Sequence, residues 1–346
     1  MRDGLERRPL VKILYHIATL RPETPEVEAV SQDVAALRES FGGEPVYVNP
    51  NQRSPMYVPR LLFGFHKLRE IRAHEADLHH LFNPDPFPFP YLRALQRPVI
   101  YSLTCGLRQQ KVNRTFLSRM SAVTVSDERS HRHLKSQGLT NLFLIQPGID
   151  TSRFTQNPLP LHSEIRLMVG SAPWVRSQFK TKGVDALLET ARQLPRLHLV
   201  FLWRGVLTEE MERRVRRMGL QDQVEVLNRV VDVNEVLAGV HASVTLAARP
   251  DIVKAYPHSL LESLAAGKPV LVSQAIPMAN YVAQTACGLV VKTVSPDHVV
   301  AALRKLERDY PELQRTAGQV ARRAFSQQQM INSYEQVYQH VLAPTR

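Results

Sequence analysis

The chain predicts an α/β protein built as two Rossmann-like domains facing each other across a cleft. Three observations carry that prediction. Short runs rich in Val, Ile and Leu alternate with amphipathic helical stretches, the pattern of parallel sheets covered on both faces. The alternation breaks at Pro158 and Pro160 and then begins again. A length of 346 residues exceeds what one core comfortably holds.

The first domain, residues 1–158, opens with the strand VKILYHIA, the helix EAVSQDVAALRESFG and the strand EPVYVNP. DLHHLF, RPVIYSLT, SAVTVS and NLFLIQPG continue the strand series. The second domain, residues 164–325, runs from the strand IRLMVG through a helix over GVDALLETARQL, the strand LHLVFLWRG and a helix over TEEMERRVRRMG. VEVLN, ASVTLAA and KPVLVS supply its further strands. In the tail, residues 326–346, Met330, Tyr334, Val337, Tyr338 and Val341 recur at helical spacing, which predicts a helix lying against an apolar surface.

Composition bounds the function. Apolar residues are 44% and charged residues 22%, ordinary for a globular chain and incompatible with disorder. The start, MRDGLERRPLVKILYHIATL, mixes acids into its basic residues and fails as a signal peptide. The longest uncharged run, 269–291, contains Ser273, Gln274, Pro277, Asn280, Gln284 and Thr285 and predicts no membrane span. Cys105 and Cys287 have no metal-like spacing and read as small core residues of a cytoplasmic protein. A net charge of +12 implies an anionic partner.

The candidate chemistry lies in the second domain. In KAYPHSLLESLAAGKPVLVS, residues 254–273, Pro257 suits a first helical turn, Gly267 the residue past a helix end, and Pro269 stops the helix. Glu262 then sits one turn after Ser259 on the same face. Glu262 either complements the positive end of the helix dipole or accepts hydrogen bonds from sugar hydroxyls, while the free N–H groups of the helix start hold phosphate oxygens. After IRLMVG, the loop SAPWVRSQFKTKGVD brings Arg176, Lys180 and Lys182 to a helix start, with Gly170 and Ser171 at the strand end. Cationic side chains beside helix N–H groups make a diphosphate site; the competing reading is a solvated basic loop.

These stretches carry a resemblance. GSAPW…KTKGVDALLETA, FLWRG, K-x-YPHSLLESLAAGKPVLVS and GLVV resemble the C-terminal half of retaining glycosyltransferases of family four (glycosyl transferases group 1), which have the two-Rossmann GT-B fold. SAVTVSDERSHRHL and IQPGIDTSRF are similar to that family's N-terminal stretches, and its final helix crosses back onto the first domain. The resemblance implies that Lys182 binds the donor diphosphate and that the backbone of Ala255, Tyr256, Pro257, His258 and Ser259 lines phosphate and sugar. It further implies that Glu262 holds the ribose and that Arg229 and Val230 lie by the nucleobase, with Arg204 a secondary candidate. It implies no bound cofactor and no metal, the nucleotide sugar being a co-substrate, and the sequence has no D-x-D pair.

The chain also departs from that pattern. Where the family has a first glutamate eight positions before the second, Lys254 stands. An ammonium only donates, so Lys254 is expected to face a phosphate or a sugar carboxylate, unless it is a solvent-facing loop lysine. The glycine pair after the first strand is replaced by ATLRPETPEVEAV, and Thr104 stands where many members have a histidine. Retaining transfer in the family relies on the leaving phosphate to assist the acceptor, so a side-chain base is dispensable.

Other chemistries lack their signatures. HEADLHH, residues 74–80, predicts no metal site, because adjacent histidines on a strand point to opposite faces. There is no G-x-x-x-x-G-K-[ST], G-x-G-x-x-G or G-x-S-x-G. Residues 53–72 join five basic residues and one acid to Met56, Tyr57, Leu61, Leu62, Phe63 and Phe65, and residues 97–126 carry Arg97, Arg108, Lys111, Arg114 and Arg119 with no acid. Such surface suits an anionic membrane face; its alternative is a buried apolar face with solvated arginines. Charge spread over both halves argues against nucleic acid.

The sequence thus predicts a cytoplasmic, peripherally membrane-associated retaining glycosyltransferase, with Lys182, Glu262 and Lys254 at its centre. It would act between a nucleotide-sugar donor and a glycan, lipid-linked or small-molecule acceptor. A catalytically silent sugar-nucleotide binder is the alternative, and a basic nucleic-acid-binding protein a more distant one.

Overall fold

A computed structural model describes residues 11–24, 28–52, 56–203 and 205–343. The first ten residues, where the signal-peptide reading begins, lie outside them, as do Arg53 and Arg204. The chain divides into two units, residues 1–146 with 330–346, and residues 147–329.

The first unit holds strands β1 (Ile13–Ile17), β2 (Glu44–Tyr47), β3 (Leu78–Asn83), β4 (Val99–Leu103), β5 (Ala122–Val125) and β6 (Leu142–Leu144), in the order β2-β1-β3-β4-β5-β6. All neighbours pair in parallel. β1, β3, β4 and β5 are buried along their whole length, which is why none shows a strict apolar–polar alternation. The helix Gln327–Leu342 sets Met330, Tyr334, Val337 and Tyr338 into the same core as Tyr15, Ile17, Leu37 and Leu78.

Histidines 79 and 80 leave β3 on opposite faces. The His79 Nδ1 is 3.0 Å from His16 Nε2, whereas the His80 Nδ1 is 2.8 Å from the Tyr338 hydroxyl and its Nε2 is 2.7 Å from Ser102 Oγ. Burial lowers His79 to about 4 and His80 to about 3, so both rings are neutral members of the packing.

The second unit holds β7 (Ile165–Val169), β8 (Leu197–Leu202), β9 (Val224–Leu227), β10 (Ala242–Thr245), β11 (Val270–Ser273) and β12 (Gly288–Val291). Its order is β12-β11-β10-β7-β8-β9, all parallel. Counted within the unit this is the 3-2-1-4-5-6 arrangement, whose order reverses between β7 and β10. The uncharged run 269–291 is β11, the helix Met278–Thr285 and β12. Among the described residues no helix is long and apolar enough to cross a membrane. Cys105 and Cys287 are buried and form no disulfide.

The division falls at 146, not at 158 as the prolines suggest. The amide of Ile149 donates to the Phe325 carbonyl at 2.9 Å, Gln327 donates back to Ile149 at 3.0 Å, and the Gln156 side chain donates to Gly318 at 3.1 Å. The extended segment after 146 therefore satisfies its polar groups on the second unit, and Pro158 and Pro160 punctuate only the approach to β7.

Candidate functional site

The second unit gathers polar groups at the carboxyl end of β7, beside the point where strand order reverses, the place where open α/β sheets take ligands. β7 ends in Gly170. A β-carbon there would lie 2.4 Å from Ser259 Cβ and 2.7 Å from its Oγ, so only glycine lets this strand end meet the start of the helix His258–Ala265. That helix is entered through Pro257, extended at φ −62° and ψ 127°. The Leu260 and Leu261 amides donate to the Pro257 carbonyl at 3.0 and 3.2 Å, and the amides that precede them form the positive end of the helix.

Two residues beyond Gly170, the Ala172 carbonyl accepts a hydrogen bond from Lys182 Nζ at 2.9 Å. Lys182 is 6% exposed. It follows the short helix Gln178–Thr181, and Gly183 at φ +73° turns the chain into the helix Val184–Gln193. A side chain at Gly183 would strike Leu246, just past β10, at 2.6 Å. The Ala248 amide donates to the Thr181 carbonyl at 2.7 Å, tying the loop after β10 to the lysine loop. The 170–172 segment thus touches Ser259 on one side and holds the Lys182 ammonium on the other.

Glu262 is half-buried, one turn along from Ser259 on the helix. Lys254 is also half-buried and its Nζ donates to His258 Nε2 at 3.0 Å. That bond requires the ring nitrogen to be an acceptor, hence an imidazole carrying its proton on Nδ1. Ala255 is fully buried, and the Tyr256 ring packs 5.7 Å from Phe325 and 6.4 Å from Tyr281, against the core beneath the helix.

The remaining predicted residues are less gathered. Arg176 is exposed on the loop and Lys180 on the short helix Gln178–Thr181, and Ser171 is half-buried between Gly170 and Ala172. Arg229 and Val230 are exposed past β9, two strands from β7 and so roughly 10 Å along the same sheet edge. Arg204 lies outside the described residues. Sequence reasoning missed Trp174 and Val175, 54% and 53% exposed on the lysine loop. Two large apolar residues in a loop between strand and helix were the available signal.

As chemistry, the site offers a buried ammonium, helix amides and a hydroxyl for an anion, with a carboxylate one turn away for hydroxyl donors. Residues 167–324 match the model of the family glycosyl transferases group 1. The lipopolysaccharide glucosyltransferase WaaG of Escherichia coli is 29% identical over 174 residues, 47% of this chain and 46% of that protein. The match thus spans about half the length of that curated relative. Among solved structures, HepE from Anabaena in complex with UDP has a TM-score of 0.69 at 16% identity, covering 95% of this chain and 99% of that one. Sucrose-phosphate synthase from Thermosynechococcus elongatus has a TM-score of 0.72 at 15% identity, covering 96% and 100%. A glycosyltransferase from Rickettsia africae has a TM-score of 0.70 at 11% identity, covering 97% and 100%. At these identities the shared property is the fold, two Rossmann-like domains of the GT-B class.

Proposed function

Because residues 167–324 belong to the glycosyl transferases group 1 family, we propose that this chain transfers a sugar from a nucleotide-sugar donor to a glycan, lipid-linked or small-molecule acceptor, with retention at the anomeric carbon. The observation that carries the reading is the meeting of Gly170, Ser259 and Lys182 at the strand-order reversal of the second sheet. A diphosphate placed there meets an ammonium already desolvated by its surroundings and the first amides of the helix His258–Ala265. Both strengthen as charge accumulates on the departing phosphate. No metal is needed in this reading, since the protein itself supplies the positive charge.

Glu262 would take the two hydroxyls of the ribose, and the exposed Arg229 and Val230 would border the base. Lys254 would face the donor sugar or phosphate, oriented by its bond to His258. The leaving phosphate would assist the acceptor hydroxyl, which spares a side-chain base. We place the protein in the cytoplasm, bound peripherally to an anionic membrane face.

Thermal denaturation against nucleoside diphosphates and nucleotide sugars tests the donor site. A ligand at a hundred times its dissociation constant adds about 2.7 kcal/mol to native stability. A melting point unmoved by every nucleotide in the panel refutes the reading. Release or transfer of sugar from the ligand that binds separates an enzyme from a silent binder, the alternative kept open by Lys254 standing where the family has glutamate.

A further inference from the structure

Five of the eleven large hydrophobic side chains exposed among the described residues fall within ten residues of the first unit: Met56 (76%), Tyr57 (79%), Leu61 (54%), Leu62 (53%) and Phe65 (43%). Scattered apolar exposure is ordinary, but a concentration of this kind marks a surface that something covers.

The segment is not loose. Asn51 clamps Val58 with two hydrogen bonds, its Nδ2 donating to the Val58 carbonyl at 3.0 Å and its Oδ1 accepting from the Val58 amide at 2.6 Å. Arg60 lies 4.3 Å over the Phe87 ring and binds both oxygens of Asp85, at 2.8 and 2.7 Å. Phe63 is buried in the core, and Gly64, at φ +81°, lies so close to the Tyr91 ring that a β-carbon would meet it at 2.6 Å. Inward residues therefore fix the backbone while leucines and aromatics between them are turned out.

Charge indicates the occupant. Residues 86–126 contain six arginines and lysines and no acid, and Glu70 is the one acid in 56–72. The turn Pro90–Ala94, carrying exposed Arg93, packs against the turn Arg60–Leu62, and Arg72 donates to the Ala94 carbonyl at 3.1 Å. Arg60 is paired with Asp85 and Lys67 with Glu70. Basic residues still outnumber acids on this segment and on the turn it packs against, and apolar side chains beside a surplus of cations match the interface of an anionic bilayer. The place in the fold matters too: the segment follows β2 and is pinned to Asp85 just past β3, at the carboxyl edge where such a sheet receives ligands.

We propose that residues 56–72 dock the first unit on an anionic lipid bilayer, and that the acceptor is a lipid-borne glycan delivered from that surface. This rests on the transferase reading above and names the acceptor that reading left open. The test uses the full chain, vesicles of phosphatidylcholine with and without phosphatidylglycerol, and the variant Leu61→Asp/Leu62→Asp. The wild type should float with the anionic vesicles and be released by salt, and the variant should bind them roughly tenfold or more weakly. The nucleotide-induced rise in melting point should be the same in both.

Labelled sugar from the nucleotide sugar that binds should enter a membrane lipid extract, with the variant slower by a similar factor. Absence of salt-sensitive vesicle binding, or equal binding by the variant, overturns the docking surface. So does a dimer that forms without vesicles and is lost in the variant, which assigns the patch to a second copy. Label found only on water-soluble oligosaccharides overturns the lipid-borne acceptor. Vesicle binding without any nucleotide response sinks the transferase reading and leaves the docking surface standing.

Discussion

Gly170 and Ser259 stand so close that a β-carbon on the glycine would lie 2.4 Å from the serine's own. This contact joins the end of β7 to the start of the helix His258–Ala265, and it makes the geometry of the site depend on the absence of one carbon atom.

Gly170→Ala should accordingly push the helix start away. Overpacking of this kind costs about 1–3 kcal/mol, and nucleotide affinity should fall with it. Ser259→Gly in the same chain removes the opposing carbon and should restore most of the stability. Urea unfolding of the single and double variants, with nucleotide titration of each, checks the pair; wild-type affinity in Gly170→Ala would show that the contact is not what shapes the site.

Glu262→Ala addresses the ribose. A lost hydrogen bond to a charged group is worth about 1.5–3 kcal/mol, so nucleotide-sugar binding should weaken roughly 10- to 150-fold. The residue is half-buried, so urea unfolding of the variant beside the titration separates lost affinity from lost stability. Calorimetric titration giving the wild-type dissociation constant would remove Glu262 from the donor site.

Lys254→Glu tests donor choice. In the wild type the ammonium donates to His258 Nε2, leaving a cation and a neutral ring beside the helix start. Glutamate instead accepts and repels an anionic sugar. Preference for a uronic over a neutral nucleotide sugar should drop by roughly tenfold or more, the scale of one charged hydrogen bond. Competition between the two donors measures it, and an unchanged ratio ends the assignment.

The strands were legible because a parallel sheet covered on both faces demands uninterrupted Val, Ile and Leu, and RPVIYSLT or KPVLVS can hardly be anything else. Lys182 was legible as a helix-start cation, since Gly183 follows it. Its burial and its bond to the Ala172 carbonyl were not, because they depend on how the loop folds back. The boundary near 158 failed for a similar reason: prolines are local punctuation, whereas the bonds of Ile149 to Phe325 join residues far apart in sequence. The exposure of Leu61 and Leu62 could not be separated from the burial of Phe63, one residue on, until the backbone direction was known.

Lys268 is the residue the sequence disguised most fully. Between Gly267 and Pro269 it reads as a turn lysine in water, yet it is 0% exposed, and its Nζ has no hydrogen-bond partner among the described residues. Burial lowers its pKa to about 8. Below that value both the folded and unfolded chains carry the charge, and the native state bears the whole desolvation cost. Between about 8 and the ordinary value of 10.5 the unfolded chain holds a proton the native one has released, so wild-type stability rises with pH across that window. Lys268→Met keeps the apolar stem and removes the charge, which should stabilise the protein by about 1–4 kcal/mol at pH 7. The advantage should shrink steadily as pH climbs through the window and the wild type sheds its proton. Urea unfolding of both chains at pH 7 and at a pH inside the window measures the difference. No gain at pH 7 would mean that the ammonium is solvated or paired, and an equal gain at both pH values would mean that packing, not charge, separates the two chains.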